Sequence, residues 1–163
     1  MSGFGQSSIG ATPMHLCLIA AAVANDGVMM EPRLLRVVTT PAGNAREGAE
    51  AFSSRTYREA LTEGQASLLQ EYMRAVTTSG TGSRASVNGL TICGKTGSAE
   101  TSRNGRDVTH GLYIGYIDNA QLPFAVCVVV EDIQDGEGGG STAAVIAGDV
   151  FTYLRDHADR VTN

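Results

Sequence analysis

The chain has 163 residues, enough for one domain with a sizeable hydrophobic core. Hydrophobic residues make up 42% and charged residues 18%, a balance typical of globular rather than disordered proteins. The net charge is -5 and the arginines are scattered, so we expect no nucleic acid partner, because a phosphate-binding surface needs clustered basic residues.

The first predicted element is a helix that begins after Thr12. Thr12 can cap the helix, and Pro13 is tolerated at the first helical position because it lacks an amide hydrogen. Residues 14–24 are apolar on nearly every face, and Asn-Asp-Gly at residues 25–27 predicts the end of the helix. A helix of this composition is suited to burial on more than one side.

Extended segments and a second helix follow. Residues 28–31 and 33–39 are two short extended segments separated by Pro32, and residues 40–54 form a predicted surface loop. Thr62-Glu63-Gly64-Gln65 resembles a capping box, which predicts a helix that ends in the Gly- and Thr-rich residues 77–82. Its predicted apolar face consists of Leu61, Leu68, Leu69, Tyr72, Met73 and Val76.

The second half of the chain predicts three strands, at residues 90–96, 112–117 and 124–131. The third is almost entirely β-branched or aromatic, so we expect a central strand covered on both faces. The connections are too short for parallel crossovers, which predicts antiparallel pairing in chain order. We interpret the polar residues 100–109 as a mobile connection between the first two strands.

A last helix follows a glycine-rich turn at residues 136–140. Ser141 or Thr142 can cap it, and its apolar stripe is Ala143, Ala147, Val150, Phe151 and Leu154. The predicted fold class is therefore α/β, with a small antiparallel sheet of about three strands flanked by helices.

Lys95 is the only lysine in the chain, and two motifs overlap on it. Residues 89–96, Gly-Leu-Thr-Ile-Cys-Gly-Lys-Thr, fit the phosphate-loop pattern G-x-x-x-x-G-K-[ST], and Val-Val-Val-Glu-Asp at residues 128–132 imitates its magnesium-binding strand. A phosphate loop needs a strand before it and a helix after it. Residues 83–88 are a poor strand and residues 97–106 a poor helix, so the pattern disfavours nucleotide binding.

The second motif is Lys-Thr-Gly-Ser at residues 95–98. The triplet Lys-Thr-Gly occurs in β-lactamases and penicillin-binding proteins, together with Ser-x-x-Lys and Ser-x-Asn motifs. An exposed edge strand with a solvated lysine would account for the triplet alone. However, further blocks accompany it in order: GFGQ (3–6), ATPM (11–14), AAAVANDGV (20–28), VTTSGTG (76–82), GKTGSAE (94–100) and HGLYIGY (110–116). With them the chain resembles the transpeptidase domain of class B penicillin-binding proteins, from near residue 3 to the last helix.

The resemblance implies a role for each residue of the motif. Lys95 would line the cleft and assist proton transfer at the nucleophile, and Thr96 would bind the carboxylate of a D-Ala-D-Ala peptide or a β-lactam. Gly97 would leave room for the acyl donor, which would lie along the motif as an added strand. Ser98 would contribute its backbone amide to an oxyanion hole, a contribution typically worth about 3 kcal/mol. The expected catalytic residues are therefore Lys95, Thr96 and Ser98, and Gly97 joins them in substrate binding.

The chain also departs from the family pattern. Residue 92, three before the only lysine, is isoleucine, so Ser-x-x-Lys does not occur in these 163 residues. Ser86-Val87-Asn88 and Ser102-Arg103-Asn104 fit Ser-x-Asn, but both lie too close to Lys95 for the family's arrangement. We therefore expect residues 1–163 to be an inactive C-terminal fragment of the domain, without the family's first two sheet strands. Its uncovered apolar surface should make it self-associate.

The resemblance further implies a parent protein that is a serine D,D-transpeptidase. It would cross-link peptidoglycan through an acyl-enzyme, held at the outer face of the bacterial membrane by an N-terminal anchor absent from this chain. A non-catalytic interaction domain with the same sheet is the alternative. We expect no cofactor or metal: the three histidines lack metal-binding spacing, and Cys17, Cys93 and Cys127 are predicted as buried free thiols.

Overall fold

The fold is known from a computed structural model that describes residues 10–35, 39–42, 44 and 53–161. The helices are α1 (Pro13–Ala24), α2 (Glu63–Thr78), α3 (Ala143–Asp156) and α4 (Ala158–Val161), with a short 3-10 helix at Ser83–Ala85. The strands are β1 (Val28–Met30), β2 (Thr56–Glu59), β3 (Ile92–Arg103), β4 (Arg106–Ile117) and β5 (Ala125–Ile133). Helices flank a small antiparallel sheet, so the predicted α/β class is confirmed.

Helix α1 begins and ends where the sequence predicts. The amide of His15 donates to Oγ1 of Thr12 at 3.2 Å, and Gly27 adopts a φ of 93° just beyond the end of the helix. Its buried residues are Ala20, Ala22 and Val23, whereas Met14 is 58% exposed. The described part of the chain therefore leaves much of the apolar surface of α1 uncovered, and the expected burial on several sides is not reached.

Helix α2 has the predicted capping box but a different buried face. The amide of Gln65 donates to Oγ1 of Thr62 at 3.3 Å, and the Thr62 amide donates to the Gln65 side chain at 3.0 Å. The buried residues are Ala66, Met73 and Thr77, whereas Leu68, Leu69 and Tyr72 are exposed. The predicted face is confirmed at Met73 and wrong at Leu68, Leu69 and Tyr72. The small side chain of Ala66 and the hydroxyl of Thr77, which donates to the carbonyl of Ile92, take the buried positions instead.

The main sheet has the strand order β3-β4-β5, with both pairs antiparallel. This is the predicted order and pairing. The register of β3 and β4 runs without interruption from Ile92 opposite Ile117 to Arg103 opposite Arg106.

The prediction of a mobile connection at residues 100–109 was wrong. These residues continue β3 and β4, and only Asn104 and Gly105 form the turn between them. Both have positive φ angles, 56° and 77°, as a two-residue hairpin turn that matches the twist of the strands requires. The polar composition of these residues does not exclude a strand, because hydrogen bonds between strands satisfy the backbone of exposed polar strands as well as that of apolar ones.

The prediction of a central strand at residues 124–131 was also wrong. In the described chain β4 is central and β5 is an edge strand. None of residues 125–130 is buried, and Val129 is 36% exposed. The described residues therefore leave part of the apolar surface of β5 exposed.

The two short strands β1 and β2 form a second antiparallel pair. Strand β2 was not predicted, because Thr-Tyr-Arg-Glu is exposed at every position and shows no apolar alternation. The second extended segment predicted at residues 33–39 is not confirmed, since residues 33–35 form no strand. Residues 36–38 lie outside the described residues.

Core residues lie on both faces of the main sheet. On one face the rings of Tyr113 and Phe151 meet edge to face at 6.4 Å, among alanines of α3. On the other, Cys93 and Tyr116 pack against Val23 of α1 and Met73 of α2. The strand that carries the Lys-Thr-Gly motif is thereby held between two layers of helices.

The last helix begins after Thr142, as predicted, but without the predicted side-chain cap. The Thr142 hydroxyl instead donates to the carbonyl of Gly138 at 2.7 Å. Of its predicted stripe, Ala143, Ala147 and Phe151 are buried, whereas Val150 is exposed. Among the described residues, no helix combines the length and apolar character needed to cross a membrane.

Candidate functional site

The Lys-Thr-Gly-Ser motif lies in the middle of β3. This strand is the outer strand of the sheet and continues to Arg103, so no helix begins at Lys95. A phosphate loop would need that helix to present its N-terminal amides to the ligand. The strand geometry therefore overturns the nucleotide-binding alternative.

The backbone of the motif faces the outer edge of the sheet at alternate residues. Nζ of Lys95, an exposed side chain, donates to the carbonyl of Thr96 at 2.6 Å. That carbonyl therefore points away from β4, and residues two apart in a strand direct their backbone groups the same way. The amide and carbonyl of Ser98 consequently face the same edge, which is the orientation that an added peptide strand requires.

The hydroxyl of Thr96 is paired with a second hydroxyl. Its Oγ1 lies 2.7 Å from Oγ1 of Thr81, in the turn after α2. The turn is fixed because the amides of Gly80 and Gly82 both donate to the carbonyl of Val76, at 3.1 and 3.0 Å. Two hydroxyl groups carry two protons and their mutual hydrogen bond uses one, so the pair can donate one proton to a ligand. Thr81 lies in a block that carried the family resemblance, but no role for it was predicted from the sequence.

The glycine-rich loop at residues 138–140 touches the motif directly. A Cβ on Gly139 would overlap the carbonyl oxygens of Gly97 and Leu112, and a Cβ on Gly140 would overlap the carbonyl of Thr81. The amide of Gly139 also donates to Oγ of Ser98 at 3.4 Å. The loop therefore supports the motif strand from one face, where the sequence indicated only a turn.

Gly97 itself has more space than these loop glycines. A Cβ at Gly97 would lie 3.5 Å from Cβ of Leu112, which is ordinary van der Waals contact. Packing within the described chain therefore does not require glycine at this position. A requirement for glycine here would have to come from a ligand or from residues beyond those described.

The tyrosine beneath the motif is a poor candidate for acid–base chemistry. The Tyr113 ring lies under Gly94 and Gly115, where a Cβ would overlap it, and its buried hydroxyl has no hydrogen-bond partner among the described residues. Burial raises the pKa of Tyr113 far above its ordinary value, so the phenol stays protonated at neutral pH. Within the Lys-Thr-Gly-Ser motif, the exposed ionisable side chain is Lys95.

The two Ser-x-Asn matches are not part of this site. The Ser86 hydroxyl donates to the carbonyl of Thr77 at 2.6 Å, which holds the segment after α2 in place. Ser102 lies opposite Asp107 near the tip of the hairpin, seven residues and therefore about 23 Å along the strand from Lys95.

The histidines and acidic residues form no metal site in the described part of the chain. No group of three or more His, Cys, Asp or Glu side chains there could hold a metal ion. His15 is exposed, His110 accepts a hydrogen bond from the amide of Asp132 at 3.1 Å, and His157 stacks on Tyr153.

Comparisons with known proteins identify the family to which the chain belongs. Residues 1–152 match the family described as the penicillin binding protein transpeptidase domain. The peptidoglycan D,D-transpeptidase PbpA of Mycolicibacterium smegmatis is 32% identical over 152 residues, which cover 90% of this chain and 30% of that protein. The peptidoglycan D,D-transpeptidase MrdA of Acinetobacter baumannii is 31% identical, over 91% of this chain and 23% of its own length.

A solved structure shares the fold. The penicillin G acyl-enzyme complex of penicillin-binding protein A from Mycobacterium tuberculosis superimposes with a TM-score of 0.73 at 29% identity, over 92% of this chain and 33% of that one. The chain thus spans about a third or less of the length of these relatives. Both the sequence match and the shared fold show that this chain belongs to the family of penicillin-binding protein transpeptidase domains.

Proposed function

We propose that residues 1–163 form the substrate-binding strand and its support in a serine D,D-transpeptidase that cross-links peptidoglycan and binds β-lactams. The observation that carries this proposal is the edge strand β3, whose outer edge presents Lys95 and the backbone of Thr96 and Ser98. The nucleophile and its lysine base would come from residues outside this sequence, because Ser-x-x-Lys does not occur within it.

The reaction would proceed in two acyl transfers. The serine oxygen attacks the carbonyl between the two D-Ala residues, the C–N bond breaks, and the terminal D-Ala leaves with the serine's proton on its amine. The amine of a second stem peptide then attacks the ester, forms the cross-link, and returns a proton to the serine. A β-lactam would stop the reaction at the acyl-enzyme. Its ring amide opens when the serine attacks, but the leaving amine remains bonded to the acyl group and does not diffuse away.

The motif residues would act on different charges during these steps. The Ser98 amide would donate to the oxyanion that forms on the attacked carbonyl, which is worth about 3 kcal/mol per donor. The hydroxyl pair of Thr81 and Thr96 would donate its one remaining proton to the terminal carboxylate. Lys95 would add positive charge beside that carboxylate and beside the serine. Gly97 would leave space for the acyl donor along the strand.

The substrate class gives the proposed location. Peptidoglycan stem peptides are cross-linked outside the cytoplasm, so the parent protein would act at the outer face of the bacterial membrane. Residues 1–163 alone would be inactive, because no serine among them has the lysine base three residues later.

Labelling with a fluorescent penicillin tests the proposal. The parent protein, meaning this chain together with its upstream Ser-x-x-Lys segment, should retain a covalent label after denaturation, and excess penicillin G should prevent it. The chain of residues 1–163 should stay unlabelled under the same conditions. A parent protein that binds no penicillin would instead favour a non-catalytic interaction domain, and a stoichiometric label on residues 1–163 would disprove the inactive-fragment proposal.

A further inference from the structure

Strand β5 directs alternate side chains to opposite faces of the main sheet. Phe124, Val126 and Val128 pack against the core that α3 covers. Ala125 packs in the cluster that contains Val23 of α1, on the other face. Because side chains two residues apart in a strand share a face, Cys127 lies on the α1 side together with Ala125.

Helix α1 brings a second thiol to this face. Sγ of Cys17 lies 3.5 Å from the carbonyl oxygen of Ala125. Since the sulfur is only two bonds from its Cα, the backbone of α1 is close to β5 here. One to two turns further along, Ala21 and Ala24 line one cavity with Phe124 and Ala125.

These contacts place α1 against the start of β5, and Val23 of the same helix packs against Cys93 and Tyr116 of the neighbouring strands. The Cys17 sulfur therefore lies beside β5 within two residues of Cys127, on the face of the sheet to which Cys127 points.

The two thiols differ from the third in their surroundings. Cys17 and Cys127 are half-buried rather than fully buried as predicted, because α1 and β5 are incompletely covered, whereas Cys93 is buried in the core. All three are free. Burial raises the pKa of Cys17 and of Cys127, and the neighbouring Cys17 thiol adds to the increase at Cys127.

We propose that Cys17 and Cys127 form a redox-active pair that low-molecular-weight disulfides oxidise to a disulfide between α1 and β5. One thiolate attacks the oxidant, which forms a mixed disulfide and releases one thiol. The second thiolate then attacks the protein sulfur of that mixed disulfide and displaces the other thiol. The cysteines lose two electrons to the oxidant, and their two protons end on the two released thiols.

The cross-link would act on stability rather than on the proposed chemistry. It closes a loop of roughly 110 residues, for which chain entropy predicts a rise of about 10 °C in the midpoint of thermal unfolding. It joins α1 to β5, the edge strand opposite to β3, and uses no group of the Lys-Thr-Gly motif. Because both thiol pKa values are raised, the rate of oxidation should increase with pH beyond the range of an ordinary cysteine.

Oxidised glutathione provides the test on the chain of 163 residues. After incubation under native conditions and an acid quench, we expect the intact mass to fall by about 2 Da, because two hydrogen atoms are lost without an adduct. Proteolysis should release one cross-linked peptide pair, which contains Cys17 and Cys127. The Cys93→Ser variant should behave identically, whereas Cys17→Ser and Cys127→Ser should carry glutathione and form no cross-link.

Three results would overturn the proposal. The first is glutathione adducts on the unmodified chain without a cross-link, and the second is a cross-link that involves Cys93. The third is a cross-link that forms no faster under native conditions than in urea, because folding would then not bring the two thiols together. An oxidised chain that melts at the same temperature as the reduced one would contradict the stabilising role.

Discussion

The two edge strands of the main sheet differ in composition and in support. Residues 93–98 of β3 are small or polar residues and one lysine, whereas residues 125–130 of β5 are all apolar. An edge with small side chains and outward backbone groups can bind a peptide reversibly by strand addition. An apolar edge of this kind is instead a template for permanent pairing, which natural proteins normally cover.

The surrounding residues show the same contrast. The glycine loop and the Thr81 turn hold β3 at Gly97, Ser98 and Thr96. Strand β5 has no pairing partner other than β4 in the described residues, and its apolar side chains are only partly covered. The two edges therefore differ as the proposed function would require, with one open to strand addition by a ligand and the other suited to burial.

The strongest test of the β3 edge is Lys95→Ala in the parent protein. Acylation by penicillin should slow by about a thousandfold, because the change removes charge and proton-transfer assistance from the cleft. The fold should be kept, since Lys95 is exposed and contributes no core packing. Stopped-flow acylation kinetics would measure the effect, with Arg103→Ala, further along the same strand, as a control that leaves the rate unchanged. Equal rates for Lys95→Ala and the unmodified protein would mean that the lysine is only a surface residue.

The apolar edge is tested by self-association. We expect residues 1–163 to sediment as a dimer or larger species at micromolar concentration, because pairing would cover the edge of β5. Val129→Lys places a charge on that strand and should raise the dissociation constant about a hundredfold, whereas Val129→Thr should change it little. A monomer at all concentrations would show that β5 needs no cover.

The support of β3 from the glycine loop can be removed by one methyl group. Gly139→Ala should lower the free energy of unfolding by about 2 kcal/mol, because its Cβ would overlap the carbonyl oxygens of Gly97 and Leu112. Gly64→Ala is the matched control: nothing lies within 4 Å of its Cβ, and alanine favours the helix there. Urea denaturation would measure both, and equal stabilities would show that the loop yields without affecting the strand.

The smallest expected effect concerns the hydroxyl pair. Thr81→Val in the parent protein should slow acylation about tenfold, because Thr96 loses the partner that orients its hydroxyl. Thr81→Ser keeps the hydroxyl and should retain most of the rate. A penicillin whose carboxylate is esterified should react equally with both variants. If Thr81→Val also slowed acylation by the ester tenfold, the substitution would disturb the site generally rather than the binding of the carboxylate.

The sequence predicted the elements whose signals are local. The Thr12-Pro13 start of α1 and the capping box of α2 depend on residues three apart, and both were confirmed. The antiparallel pairing of β3, β4 and β5 followed from short connections. The Lys-Thr-Gly-Ser residues were found by motif, and the structure adds that their strand lies at the edge of the sheet.

The features that were missed depend on contacts between distant segments. The exposed position of Leu68 and Leu69 follows from the close packing of α2 on β3, which the helical period alone does not contain. The contact between Thr81 and Thr96 joins residues 15 positions apart. The position of the glycine loop depends on contacts with Gly97 and Leu112, which lie on two paired strands. The hairpin extension was a different error, because Asn104-Gly105 is itself a local turn signal.

That hairpin has a consequence for how the chain folds. Strands β3 and β4 are joined by two residues, so their pairing involves contacts that are close in sequence and requires little loop-closure entropy. Isolated hairpins form in about 1–10 μs, much faster than the packing of distant segments. We expect the β3–β4 pair to be structured in the transition state, with high φ-values near the turn, as at Val108, and low ones in α1. The strand that carries the Lys-Thr-Gly motif would then form before α1 packs on the sheet.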